Sequence, residues 1–239
     1  MINSVQQLIS FISATSKKPN TAQRIYRGQA SNWPVLPKLY RPYETMSLED
    51  IESLEIRLLS TFREEAYYLL PSVPNRECDL VSLAQHYGIP TRLTDWTTNP
   101  LMALFFAVVT TSPAKTPLIW IYDVTVTQRR DGDDFRKPVT EAELTTIVQP
   151  IHHSPRIAAQ SGWQMIHLTY KEDAKQIRPL ESMEFHKGRM TEIPIDPGAA
   201  SALKNELKEM GIHHGTVYGD LSSACVGITI DAGFPSEFI

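Results

Sequence analysis

The sequence predicts an α+β fold, a helical N-terminal half packed on a mixed or antiparallel sheet, and three observations lead there. Apolar residues recur at helical spacing in the first half, as in Ile51, Leu54, Leu58 and Phe62. Runs rich in β-branched and aromatic residues gather in the second half, led by PLIWIYDVTV at 117–126. These runs follow one another without regular intervening helices, which argues against βαβ winding. At 239 residues the chain reads as one domain over 1–239, with a core of about 25–224 and an N-terminal helix at 4–13.

Ser4-x-x-Gln7 has the form of a capping box, and Val5, Leu8, Ile9 and Ile12 share a helical face. A polar linker, SKKPNTAQ, leads to a short strand-like run at 25–29, and the proline- and aromatic-rich stretch to Tyr43 reads as an ordered loop. Ser47 opens the longest helix, running to about Leu70 and stopped by Pro71 and Pro74. Asp79 is expected to cap the next helix, with Leu80, Val81, Leu83, Ala84 and Tyr87 on its apolar side. Gly88 suits the left-handed position past its end, and Pro90 prevents continuation. Residues 91–96 are extended by composition, and Asn99 caps a helix with Pro100 at its first position. That helix is apolar all round and should be buried.

Further strands are expected at 117–126, 147–151 and 164–170, with a pair at 183–185 and 191–195. Thr140-x-x-Glu143 reads as a second capping box, which explains the Glu141-x-Glu143 pair better than catalysis does. Asp196, Pro197 and Gly211 bracket a helix with Leu203 and Leu207 inside, and Asp220 caps a last short helix.

Composition narrows the function classes. With 42% hydrophobic and 21% charged residues the chain reads as soluble and globular, and a net charge of −4 gives no global signal for nucleic acid. No apolar run is long enough to span a bilayer and no signal-peptide pattern opens the chain, so the expectation is a cytoplasmic protein with no membrane partner. Cys78 and Cys225 lack metal-ligand spacing, adjacent His152 and His153 would point oppositely on a strand, and no metal is expected.

Candidate site residues cluster in three places. Tyr26-Arg27-Gly28-Gln29 sets a guanidinium at a strand end where glycine admits a close approach, suited to phosphate or carboxylate. The alternative is a structural arginine paired with a buried carboxylate such as Asp95. His86, beside Tyr87, lies at a helix C-terminus, either as an acid, base or donor to a ligand, or as a cap on the last carbonyls. Arg92, Thr94 and Trp96 share one face of an extended segment with Asp95 opposite, so that one face binds and the other anchors, or an Arg–Asp network fixes the strand. Arg156 to Gly162 places Gln160 before a turn, able to hold a hydroxyl or amide without ionising, or to bond its own backbone. Glu181 and Glu184 are the remaining candidates for a lone catalytic carboxylate.

Tyr-Arg-Gly-Gln at 26–29, SLAQHYGIPTRLTDWT at 82–97 and NPLMALFFA at 99–107 resemble the FRG domain, a family of bacteria and phages, over roughly 25–224. There is a more distant resemblance to ADP-ribosyltransferases, in which an Arg ending the first core strand holds NAD phosphate and a later Ser/Thr strand supports the nicotinamide pocket. It implies an NAD-handling enzyme, a transferase to a macromolecular acceptor or an NAD-cleaving enzyme, acting as a toxin or phage-defence effector, with NAD as co-substrate. Arg27 would hold the pyrophosphate, and His86 and Arg92, positioned by Asp95, would line the ribose and nicotinamide side. Gln160 or a late Glu would act at the anomeric carbon, since the family's glutamate motif is missing from its usual place. The alternative is a non-catalytic sensing module whose cleft recognises a nucleotide-like small molecule or a partner protein.

Overall fold

One antiparallel sheet organises the molecule. Its strands are β1 (Thr21–Gln29), β2 (Leu93–Thr97), β3 (Leu118–Thr125), β4 (Thr146–Val148), β5 (Gly162–Ile166) and β6 (Met190–Pro194). They lie in the order β4-β5-β2-β1-β3-β6. The computed structural model describes residues 1–42, 45–70, 72–110, 114–128, 145–149, 159–167 and 177–233. The expectations at 140–143, 152–153 and 156 lie outside them, as do the ends of the strands expected to 151 and 170. The helices are α1 (Val5–Ala14), α2 (Leu48–Leu69), α3 (Glu77–His86), α4 (Pro100–Val108), α5 (Glu184–Lys187), α6 (Ala200–Glu209), α7 (His214–Tyr218) and α8 (Leu221–Asp231). The fold is α+β and the sheet is antiparallel. Its two central strands, β1 and β2, come from the part of the chain where helices predominate.

Period-two alternation along β1 sends Ile25 and Tyr26 to opposite faces of the sheet. On Tyr26's face, Ile119, Ile121 and Ile193 meet α4, α1 and α6 in a core that includes Met102, Ala103, Val5, Leu8, Leu203 and Leu207. On Ile25's face, Trp96, Trp120, Tyr122, Trp163 and Met165 pack with Val35 and Leu180. The apolar surface withdrawn on both faces is the main force holding the layers together.

Local chemistry sets most element boundaries as the sequence implies. The Ser47 hydroxyl accepts from Asp50 N at 3.1 Å and the Asp50 carboxylate accepts from Ser47 N at 3.3 Å, a reciprocal cap on α2. Asn99 caps α4 through Leu101 N at 2.9 Å, and Asp220 caps α8 through Ser223 N at 2.7 Å. Gly88 (φ 97°) follows α3 in the left-handed region.

Four expectations need correction. Asp79 does not cap α3. The helix begins at Glu77, and Asp79 lies inside its first turn, buried, with Arg76 at 3.5 Å. A carboxylate there meets the positive end of the helix dipole as well as an arginine. Tyr87 lies past the end of α3 and is 62% exposed, because the helix stops before its apolar stripe reaches that position. Residues 184–187 are the single turn α5, with His186 buried and Phe185 exposed, so β6 pairs with β3 instead of with 183–185. At the N-terminus, Ser4 does cap α1, but Gln7 Oε1 accepts from Asn3 N and leaves the reciprocal half of the box unmade.

Candidate functional site

The central strands part company just where the unusual polar residues lie. β1 and β2 are in register at Tyr26 and Thr97 alone, and beyond that point Arg27 to Gln29 draw away from β2. The gap opens into a cavity of about 540 Å³ whose wall includes Tyr26, Arg27, Gly28, Gln29, Asp95 and Gln160. Such a volume falls within the roughly 300–1,000 Å³ of small-molecule sites.

Three features of β1 hold this rim in place. Gly28 faces α4 so closely that a Cβ on it would stand 1.8 Å from the Ala103 carbonyl oxygen. The glycine therefore serves the packing of strand on helix, and the small Ala103 is the other half of that fit. Arg27 Nη1 donates to the backbone carbonyl of Asp95 at 2.7 Å, bridging the strands where they diverge. Gln29, buried at 6% exposure, donates from Nε2 to Trp33 O at 2.9 Å and anchors the loop that carries Trp33.

Arg27 is half-buried, and its Nε is closed from solvent with no partner. Desolvation lowers its pKa, Asp95 opposes that shift and Arg41 adds to it. Asp95 is held without a cation. Its Oδ1 accepts from Gln85 Nε2 at 2.6 Å and from Gln164 Nε2 at 3.4 Å. Neutral amide donors fix the carboxylate and leave its charge in the cleft.

Of the residues the sequence singles out, Arg27, Asp95 and Gln160 meet on this wall, together with Tyr26, Gly28 and Gln29. Gln160 is oriented by Nε2 donating to Val217 O at 3.2 Å, while its own carbonyl accepts from Thr97 Oγ1 at 2.7 Å. Thr94 accepts from Trp96 Nε1 at 3.0 Å and lines an adjoining smaller cavity. Arg92 lies away from both cavities, buried, with Nε donating to Glu55 Oε1 at 2.9 Å and Nη2 to Glu55 Oε2. The alternative of an internal arginine–carboxylate network is thus realised, with Glu55 of α2 in the carboxylate's place. His86 and Tyr87 pack edge to face with each other at 5.2 Å between ring centroids and belong to neither wall. Glu181 is also outside, where it accepts from Val35 N at 3.2 Å, and burial raises its pKa.

Three wall residues carry no sequence signal of their own. Trp33, 51% exposed and with Lys115 Nζ 5.6 Å from its ring centroid, and Phe106 bring aromatic rings to the wall, and Arg41 brings a second guanidinium. Trp33 sits in a stretch whose prolines and aromatics mark an ordered loop, and Phe106 is one apolar residue of many in α4. Among the described wall residues Asp95 is the sole carboxylate. No group of three or more His, Cys, Asp or Glu side chains suited to a metal ion occurs among the described residues, and no described helix is long and apolar enough to cross a membrane.

Residues 22–116 match the FRG domain family, a span that runs from β1 through α4 and holds most of the cavity wall. Gln160 lies beyond the match. No curated protein and no solved structure matches the chain.

Proposed function

We propose that this chain, which carries an FRG domain over residues 22–116, binds a nucleotide of the NAD class in the cavity between β1 and β2 and acts on it as an ADP-ribosyl-transferring or NAD-cleaving enzyme. One observation carries the reading. Two guanidiniums with no ion pair among the described residues, a single carboxylate held by amide donors, and aromatic side chains that include Trp33 and Phe106 line one cavity of about 540 Å³. Arg27 offers its unused N–H groups to phosphate oxygens, for which a planar fork is well shaped. Trp33 and Phe106 offer faces to a heteroaromatic ring.

Asp95 is the wall carboxylate that this chemistry would use. Cleaving the C–N bond between nicotinamide and ribose sends the bonding electron pair to the nicotinamide nitrogen, so positive charge develops at the anomeric carbon. A nearby carboxylate stabilises that charge. The acceptor's nucleophilic atom then bonds to that carbon and releases its proton. In this scheme Gln160 positions a hydroxyl or amide of the ligand, while Arg92 and His86 support the strand and helix behind the wall.

The test is nicotinamide release from NAD, followed by chromatography with cell lysate as acceptor source, for wild type, Arg27→Ala and Asp95→Asn. Release by wild type, lost by at least tenfold in both folded variants, is expected. NAD binding without release by wild type overturns the catalytic reading. It leaves a sensing module, a second reading favoured by the lack of a glutamate on the described wall.

A further inference from the structure

The main cavity continues past Arg27. A second cavity of about 190 Å³ adjoins it, and the two share Arg27, Leu36, Arg41 and Asp95 as common wall. We propose that the two cavities form one site for a ligand in two parts joined by a pyrophosphate, with Arg27 and Arg41 as a clamp on the pyrophosphate and the smaller cavity as a sugar subsite. The inference rests on the nucleotide reading above and adds to it a second phosphate-binding arginine and a separate subsite for the sugar.

The two cavities differ in chemistry. The larger has the aromatic faces of Trp33 and Phe106, suited to a ring. The smaller has no aromatic residue on its described wall and instead presents Lys38, Gln85, Thr91, Thr94 and Asp95. Their amide, hydroxyl, ammonium and carboxylate groups alternate donors with acceptors, as a sugar's hydroxyls require. The Gln85 amide is pre-set for this role: Nε2 donates to Asp95, and Oε1 accepts from Thr91 Oγ1.

At the junction, Arg41 follows a single 3₁₀ turn over Lys38–Tyr40, its backbone N–H donating to Lys38 O at 3.4 Å. Among the described residues its guanidinium has no carboxylate partner. Arg27 is bonded to a carbonyl, and its Nε is unpaired within the protein. Two guanidiniums on one wall with no carboxylate bonded to either repel each other. Beyond desolvation, Arg41's charge lowers the pKa of Arg27, against a larger opposing effect from Asp95 on the same wall. An anion with two linked phosphates relieves this repulsion and engages both forks at once. A single terminal phosphate engages one fork and leaves the second cavity empty.

Calorimetric titration of the full chain with AMP, ADP and ADP-ribose tests the proposal. ADP-ribose is expected to bind at least tenfold more tightly than ADP, and ADP more tightly than AMP. Arg41→Ala should cost ADP-ribose tenfold or more while leaving AMP within about threefold, and Arg41→Lys should recover only part of the loss, since it restores charge without the fork. Equal affinities of wild type for ADP and ADP-ribose, or an unchanged ADP-ribose affinity in folded Arg41→Ala, overturn this inference and leave the nucleotide reading standing. Failure of wild type to bind any of the three overturns both.

Discussion

Arg24 and Arg27 belong to the same strand and have opposite fates. Arg24 is buried with its guanidinium fully used: Nε donates to Asp123 Oδ1 at 2.9 Å, Nη2 to Oδ2 at 3.4 Å and Nη1 to Thr15 O at 3.1 Å. Arg27, three residues further on and so on the opposite face of the sheet, makes one protein bond and opens on a cavity. Arg92 belongs with Arg24, closed by Glu55. An arginine saturated inside the protein stabilises the fold, whereas one left with spare donors at a cleft is available to a ligand. The difference lies in whether a carboxylate from another element arrives at the same place.

The largest effect belongs to the closed arginine. Arg24→Ala leaves Asp123 buried without its cation, and urea denaturation should show a loss of about 3–5 kcal/mol. A loss below about 1 kcal/mol would erase the distinction drawn here.

An intermediate effect comes from two buried histidines, His167 and His186. Burial lowers the pKa of His186 to about 3 and of His167 to about 4, from an ordinary value near 6.5. Both are neutral in the folded state and take up protons on unfolding, so the unfolded chain binds more protons below pH 6.5. Their stabilisation is complete above that pH and is lost as pH falls toward 4, by up to about 1.4 kcal/mol per pH unit for each. Chemical denaturation of wild type at pH 7, 6 and 5 should show this fall, on the order of 2 kcal/mol per histidine by pH 5. In His186→Gln, which keeps a polar group beside Tyr122 and Thr145, the fall should be shallower. A wild-type stability that is flat over this range contradicts the burial of these rings as neutral groups.

The smallest effect is expected of the open arginine. Arg27→Ala should change unfolding stability by less than about 1 kcal/mol, since the lost bond is offset by removal of a partly desolvated charge. Measured beside Arg24→Ala, a loss of similar size would show that Arg27 too is a structural group.

Much of the fold can be read from the sequence, because capping and periodicity are local. Ser47, Asn99 and Asp220 cap the helices they appear to cap, and the buried α4 follows from an unbroken apolar run. Where the reading went astray, a tertiary partner decided the outcome. Asp79 has the composition of a cap, yet Arg76 and the helix dipole draw it into the first turn. The site divides in the same way. Arg27 and Asp95 stand out by their punctuated surroundings, and they do share a cavity. Arg92 stands out equally, but its partner Glu55, a lone carboxylate within the apolar stripe of α2, lies 37 residues away and is brought to it only by the fold. Trp33, Phe106 and Arg41 look like ordinary loop and core residues until the divergence of β1 from β2 makes them neighbours.

The paired guanidiniums of Arg27 and Arg41 have a practical consequence for the bench. Phosphate and sulfate are competitors for such a pair, and in millimolar buffer they can occupy it before any nucleotide is added. An affinity measured in phosphate is then the result of an exchange, weaker than the intrinsic value by the factor 1 + [anion]/Kd for that anion. The same occupancy raises the melting temperature, so a thermal-shift screen in phosphate starts from a protein already partly stabilised. Chloride-buffered solutions at low ionic strength give the unmasked reading.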